Sequence, residues 1–179
     1  MDIRYVALLR GVNVGGNNKA SMVALRSCFE DLGFADVSTY IISGNVLFAS
    51  SETSAQRLTE ACEAAIEGRF GFKVVCCVLS AEELRAAIDH APSWWGVGNE
   101  KHDALFVIAP MSSEEVMSSV GEAKPEYERV ASFGRVIFWT APAATFSRTR
   151  YSKIVGSSVY RYITIRNANT TRKLLELST

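Results

Sequence analysis

The chain has 179 residues, 48% of them hydrophobic and 21% charged, and its nineteen Lys or Arg match nineteen Asp or Glu. That length buries a sizeable core as one large domain or two small ones, and the composition reads as that of an ordinary soluble globular protein. No basic head with an apolar stretch opens the chain, and the longest apolar runs, such as Val74–Leu79, are strand-sized. A secretory leader and a membrane span are therefore not expected, and cytoplasmic residence is.

In chain order, Ile3–Leu9 is apolar and rich in β-formers, which predicts a first strand. A Gly/Asn loop follows, then a helix from about Ser21 with Met22, Leu25, Phe29 and Leu32 on one face and Gly33 as its stop. Strands are expected at Val37–Ile42 and Val46–Ala49, joined by a tight Ser43-Gly44-Asn45 turn. Thr53 and Gln56 fit a capping box for a second helix whose Leu58, Cys62, Ala65 and Ile66 face inward. Phe72–Leu79 reads as a fourth strand, buried on both faces. The order β-α-β-β-α-β over residues 1–80 is the split-βαβ plan of a ferredoxin-like sandwich.

The second half is read as the same plan again. Ser80 and Glu83 cap a bridging helix with Leu84, Ala87 and Ile88, and residues 81–103 include a linker with Pro92, Gly96 and Gly98. Over 104–179 the pattern gives a strand at Ala104–Ala109 and a helix capped by Ser112 and Glu115. Strands at Tyr127–Ala131 and Val136–Trp139 turn at Phe133-Gly134. The letters themselves echo: Gly44-Asn45-Val46-Leu47-Phe48 against Gly134-Arg135-Val136-Ile137-Phe138. Falling at the same hairpin of each half, the echo points to duplication. Ser147–Val155 is then expected as a short helix, Val159–Arg166 as a strand, and Asn169 as the cap of a last helix through Leu177. The fold class expected is α+β, with tandem duplicated ferredoxin-like modules and antiparallel sheets.

Charge is unevenly placed. Between Arg129 and Leu175 stand nine Lys or Arg and no Asp or Glu, whereas Met1–Glu128 holds ten basic and eighteen acidic residues. A one-signed field attracts anions, and Phe138, Trp139, Phe146, Tyr151, Tyr160 and Tyr162 among the cations suit a flat group carrying phosphate. Two segments there concentrate suitable donors: Ser147-Arg148-Thr149-Arg150-Tyr151-Ser152-Lys153, and Arg166-Asn167-Ala168-Asn169-Thr170. In the first half, Arg10-Gly11-Val12-Asn13-Val14-Gly15-Gly16-Asn17-Asn18-Lys19 offers positive φ and close backbone approach to an anion. Asn17-Asn18 stand where a P-loop requires Lys-Ser/Thr, so Walker chemistry is not expected. The candidate ligand-binding residues are Arg10, Asn13, Gly15, Gly16, Asn17, Lys19, Ser43 and Asn45, with Ser147, Arg148, Arg150, Lys153, Arg166, Asn167 and Asn169. The two groups are expected to converge on one basic cleft between the halves.

Catalytic candidates are poor. His90 and His102 lack metal spacing and an acid partner, no C-x-x-C occurs, and Cys28, Cys62, Cys76 and Cys77 read as buried thiols. No metal or cofactor is expected, and no reaction is assigned. Glu60, Glu63 and Glu67 have the helical spacing of a solvated face, and Trp94-Trp95 reads as cover for the seam between subdomains.

The opening Leu8–Gly16, the Ser43-Gly44-Asn45 hairpin, Ser147–Arg150 with Ser152-Lys153, and Arg166-Asn167-x-Asn169-Thr170 resemble the bacterial domain-of-unknown-function family numbered 1697. The resemblance spans nearly the whole chain and implies two ferredoxin-like modules but no activity. The family tends to place Trp where Ala168 stands here. The expected function is a binding protein for a phosphorylated or anionic ligand, nucleotide-like or single-stranded nucleic acid. The alternatives are an enzyme on a small phosphorylated substrate and a protein–protein module docking an acidic partner.

Overall fold

The computed structural model describes residues 1–179, which divide into two compact units: Met1–Leu84 with Leu174–Thr179, and Arg85–Lys173. In the first unit, β1 (Ile3–Arg10) lies between β3 (Asn45–Ser50) and β4 (Val75–Ser80), and β2 (Ala35–Tyr40) pairs with β3. The sheet order is β2-β3-β1-β4, antiparallel throughout. The central position of β1 explains why its Tyr5–Leu9 run is apolar on consecutive residues: both faces are buried. Helices α1 (Met22–Asp31) and α2 (Ala55–Phe70) bury Leu25, Phe29, Leu58, Cys62 and Ile66 against Tyr5, Ala7, Leu9, Phe48, Cys76 and Val78.

The ends of these helices follow from short-range chemistry. The Ser21 side chain accepts from Ala24 N at 3.1 Å and opens α1. The expected box at Thr53 and Gln56 is not formed: Ser54 caps α2, its hydroxyl accepting from Arg57 N at 3.3 Å. Glu52 Oε1 takes the Ser54 N–H at 2.8 Å, and Gln56 instead donates to Glu60 at 3.0 Å. The β2–β3 hairpin also differs from expectation. Its β-branched Ile41 and Ile42 sit in the turn rather than the strand, 46% and 69% exposed, with Ile41 at φ 52°. Asn45 closes that turn by donating to Tyr40 O at 2.9 Å, and Asp36 at φ 48° bulges β2 at its start.

In the second unit, β5 (Lys101–Val107) lies between β7 (Val136–Ala141) and β8 (Ile163–Asn167), with β6 (Arg129–Phe133) beyond β7. The order β6-β7-β5-β8 repeats the first unit's pattern position for position, so the two modules are similar. The echo is structural: Gly44 and Gly134 both enter the second strand of the same hairpin with positive φ. Strand β5 begins three residues earlier than its apolar run suggests, because Lys101, His102 and Asp103 pair with Ala141, Thr140 and Trp139. Ser80 and Glu83 cap α3 (Ala81–Asp89) reciprocally, and Ser112 and Glu115 form the capping box of α4 (Ser113–Val120).

The units part at one element. Where the first has the sixteen-residue α2, the second has three consecutive 3₁₀ helices, Ala143–Arg148, Tyr151–Gly156 and Ser158–Tyr162. The helix expected at 147–155 is replaced by two of these, and the expected strand at 159–166 begins only at Ile163. Hydroxyls explain the substitution. Thr149, Ser152 and Ser157 each donate to the carbonyl three residues back, Phe146, Thr149 and Ile154, at 2.7, 3.1 and 2.6 Å. Such local bonds compete with the helical ladder and favour short tight turns. The last helix, α5 (Ala168–Leu177), is capped by Asn167, whose Oδ1 accepts from Thr170 N at 2.8 Å, and not by Asn169, which lies inside its first turn. No helix is long and apolar enough to cross a membrane.

Candidate functional site

The Gly-rich loop belongs to the first unit and folds as a miniature hairpin. Asn17 N donates to Val14 O and Asn13 N to Asn18 O, both at 3.1 Å, around a Gly15-Gly16 turn with φ of 61° and 79°. Two consecutive positive φ values define a type I′ turn, which glycine pairs favour. Asn13 is spent on the loop itself. Its amide donates to Ala20 O at 2.8 Å and Ile42 O at 3.0 Å, and its Oδ1 accepts from Ala20 N at 2.9 Å. Asn45 is fully buried in the neighbouring turn, with Ser43 Oγ 3.4 Å from its Nδ2, and Arg10 is half-buried at the end of β1. Gly15, Gly16, Asn17 and Lys19 remain exposed. Asn13, Gly16 and Lys19, with Ala20, Ser21, Met22 and Ile42, line a cavity of about 450 Å³.

The basic candidates belong to the second unit. Ser147, Arg148, Arg150 and Lys153 are exposed along the first two 3₁₀ helices. Arg148 lies over the Tyr127 ring at 5.9 Å, and its carbonyl accepts from Lys124 Nζ at 3.0 Å. No carboxylate comes within ion-pair distance of Arg148, Arg150 or Lys153. Arg166 differs. It is nearly buried on β8, and Nη1 donates to Thr164 Oγ1 at 3.0 Å and Ile165 O at 2.8 Å. Asn167 and Asn169 are exposed, the first occupied as the α5 cap.

What organises the basic segment is Glu128, which the sequence reading passed over. This carboxylate is only 4% exposed and accepts four N–H groups. Oε1 takes Lys124 N at 3.0 Å and Arg150 N at 2.7 Å; Oε2 takes Trp139 Nε1 at 3.0 Å and Tyr151 N at 3.2 Å. The backbone N–H groups that open the second 3₁₀ helix thus already hold an anion of the protein's own. Thr149 locks the same turn: fully buried, it also accepts from Ser152 N at 3.1 Å. The one signal in the letters was position, since Glu128 is the last carboxylate before the acid-free stretch. Beside it, Tyr151 is 1% exposed and its hydroxyl has no hydrogen-bond partner. Burial, and then the Glu128 charge, push its pKa up to about 12.

All four cysteines are free and buried. A hydrogen bond with Cys62, then burial, raises the Cys76 thiol well above its ordinary value, so it stays protonated. No group of three or more His, Cys, Asp or Glu side chains is placed to hold a metal.

Two similar modules follow one another along the chain, each an α+β unit on a four-stranded antiparallel sheet. The chain belongs to the family described as "Protein of unknown function (DUF1697)", which it matches over residues 3–138. It is similar along its full length to the solved structure of the conserved bacterial protein SP0830 from Streptococcus pneumoniae. The two share 34% sequence identity and a TM-score of 0.87, with 100% of each chain covered. No curated protein matches the chain.

Proposed function

We propose that the protein is a cytoplasmic binding protein for a phosphorylated or otherwise anionic ligand, carried on two modules of the ferredoxin-like split-βαβ plan. The observation that carries this reading is the state of Arg148, Arg150 and Lys153. Three cations project from a backbone fixed by Glu128 and Thr149, with no carboxylate paired to any of them. A cation cluster on a rigid segment binds an anion without the entropy cost of ordering the chain. Arg supplies planar bidentate donors for the oxyanion, and Tyr127 beneath Arg148 keeps that guanidinium oriented. Lys19 beside the exposed Gly15-Gly16 turn is a smaller site of the same chemistry on the first module.

A thermal-shift panel of nucleotides, sugar phosphates, polyphosphate and short RNA tests the reading. A ligand that binds only the folded state raises stability by RT ln(1 + [L]/Kd). The double substitution Arg148→Glu with Arg150→Glu should abolish that shift while leaving unfolding in buffer nearly unchanged, since both side chains are exposed. A nucleic acid would lose affinity steeply with salt, a compact nucleotide less so. A panel with no stabilising member sinks the reading and leaves the cations to dock an acidic protein.

A further inference from the structure

A cavity of about 490 Å³ lies wholly within the second unit, lined by Met117, Ser118, Gly121, Glu122, Ala123, Val130 and Tyr151. Its walls are mainly apolar, and one polar group in them is unusual. Outside that lining, Nε2 of His102 is the sole nitrogen or oxygen side-chain atom both sealed from solvent and unpartnered. The Tyr151 hydroxyl is unpartnered as well, yet it is not sealed: the residue is 99% buried and its exposed edge lines the cavity. A hydroxyl with an open edge is met by water, which an entering acceptor can displace. A donor held in this way is therefore poised for a group that enters the cavity. A cation stands against another part of the same lining. A Cβ built on Gly121 would lie 3.9 Å from Arg150 Nη1, so the guanidinium rests against the cavity's own lining. Glu122 lines the same cavity, and its carboxylate disfavours ligands carrying several negative charges.

We infer that this cavity binds a small ligand with an apolar body and a single oxyanion. The body would pack on Met117, Ala123 and Val130, and the oxyanion would take the Tyr151 hydroxyl and the Arg150 guanidinium. The high pKa of Tyr151 agrees, since a phenol neutral at every physiological pH is a permanent donor. The inference rests on the function proposed above only in assigning Arg150 to an anion.

Benzoate and acetate are the probes, because they share one carboxylate and differ in the apolar body. Titrated into the full chain and followed by NMR, benzoate should shift the resonances of Met117, Val130 and Tyr151 and bind at least about tenfold more tightly than acetate. Tyr151→Phe should keep the melting temperature, as no internal bond is lost, and weaken benzoate about five- to tenfold. Arg150→Gln should weaken both probes. Equal affinity for the two acids, unmoved cavity resonances, or a Tyr151→Phe variant that binds benzoate normally would each overturn the inference. Phosphate ligands that still depend on Arg148 and Arg150 would then leave the wider function standing. Benzoate binding with every panel ligand inert would do the reverse.

Discussion

The two units share a sheet order and a hairpin echo, yet they fill the space after their third strand in different ways. In the first, α2 is an uninterrupted helix whose own ladder satisfies its backbone, ending at Gly71 in the left-handed conformation. In the second, Ser, Thr and Gly break the same stretch into 3₁₀ turns, and those turns need outside acceptors. Glu128 supplies one, and within the stretch the buried Thr149 hydroxyl adds another. The difference teaches where a repeated plan acquires room for a site. A continuous helix presents side chains only, whereas a pinned irregular turn presents cations at fixed positions beside a cavity.

Glu128→Ala tests that contrast most severely. It removes the acceptor of four N–H groups, at least one of which stays buried, and is expected to cost about 3–5 kcal/mol in chemical denaturation. Glu128→Gln keeps half of the acceptor capacity and should fall between. A loss below about 1 kcal/mol for the alanine variant would mean the 3₁₀ turns hold themselves, as α2 does.

The paired glycines give the next effect. A Cβ on Gly44 would meet Leu9 Cβ at 2.9 Å at φ +82°, while one on Gly134 meets nothing within 4 Å at φ +55°. Gly44→Ala is therefore expected to cost about 2–3 kcal/mol, steric overlap added to left-handed strain, and Gly134→Ala about 1 kcal/mol. Equal losses would show that the echo carries the same constraint in both units.

Those glycines also mark how far the letters reached. Both sheets, the similarity of the two modules, the helix start near Ser21 and the caps at Ser80 and Ser112 were legible, because apolar alternation and capping spacing are local signals. What was not legible depended on which of two adjacent hydroxyls or amides wins a bond. Thr53 and Asn169 matched their motifs, but Ser54 and Asn167 make the bonds. Arg166 resembled Arg148 as a letter, yet its guanidinium is folded back on its own strand. Glu128 was hidden because its four partners are separated in sequence by up to 23 residues. The cap assignments are tested by Ser54→Ala and Asn167→Ala, each expected to cost about 1 kcal/mol, against near-zero effects for Thr53→Ala and Asn169→Ala.

The smallest effect at neutral pH concerns one buried tyrosine in each unit. Tyr5 is 2% exposed and donates to Glu52 O at 2.8 Å, whereas Tyr151 donates to nothing within the protein. Tyr5→Phe should cost about 1 kcal/mol by orphaning that carbonyl, and Tyr151→Phe should cost close to nothing. Alkaline pH brings the two back together. Burial is the main cause that raises both pKa values above the ordinary 10.0, with Glu83 and Glu52 adding to it for Tyr5 and Glu128 for Tyr151. A raised folded-state value leaves stability intact below 10, where both states are protonated. Above it the unfolded chain loses the proton first, so stability falls, for Tyr151 until about pH 12. Denaturation midpoints measured across that window should decline less steeply in either Phe variant than in the parent chain. A Tyr151→Phe slope identical to the parent's would mean the phenol ionises as freely folded as unfolded, and the cavity would lose its permanent donor.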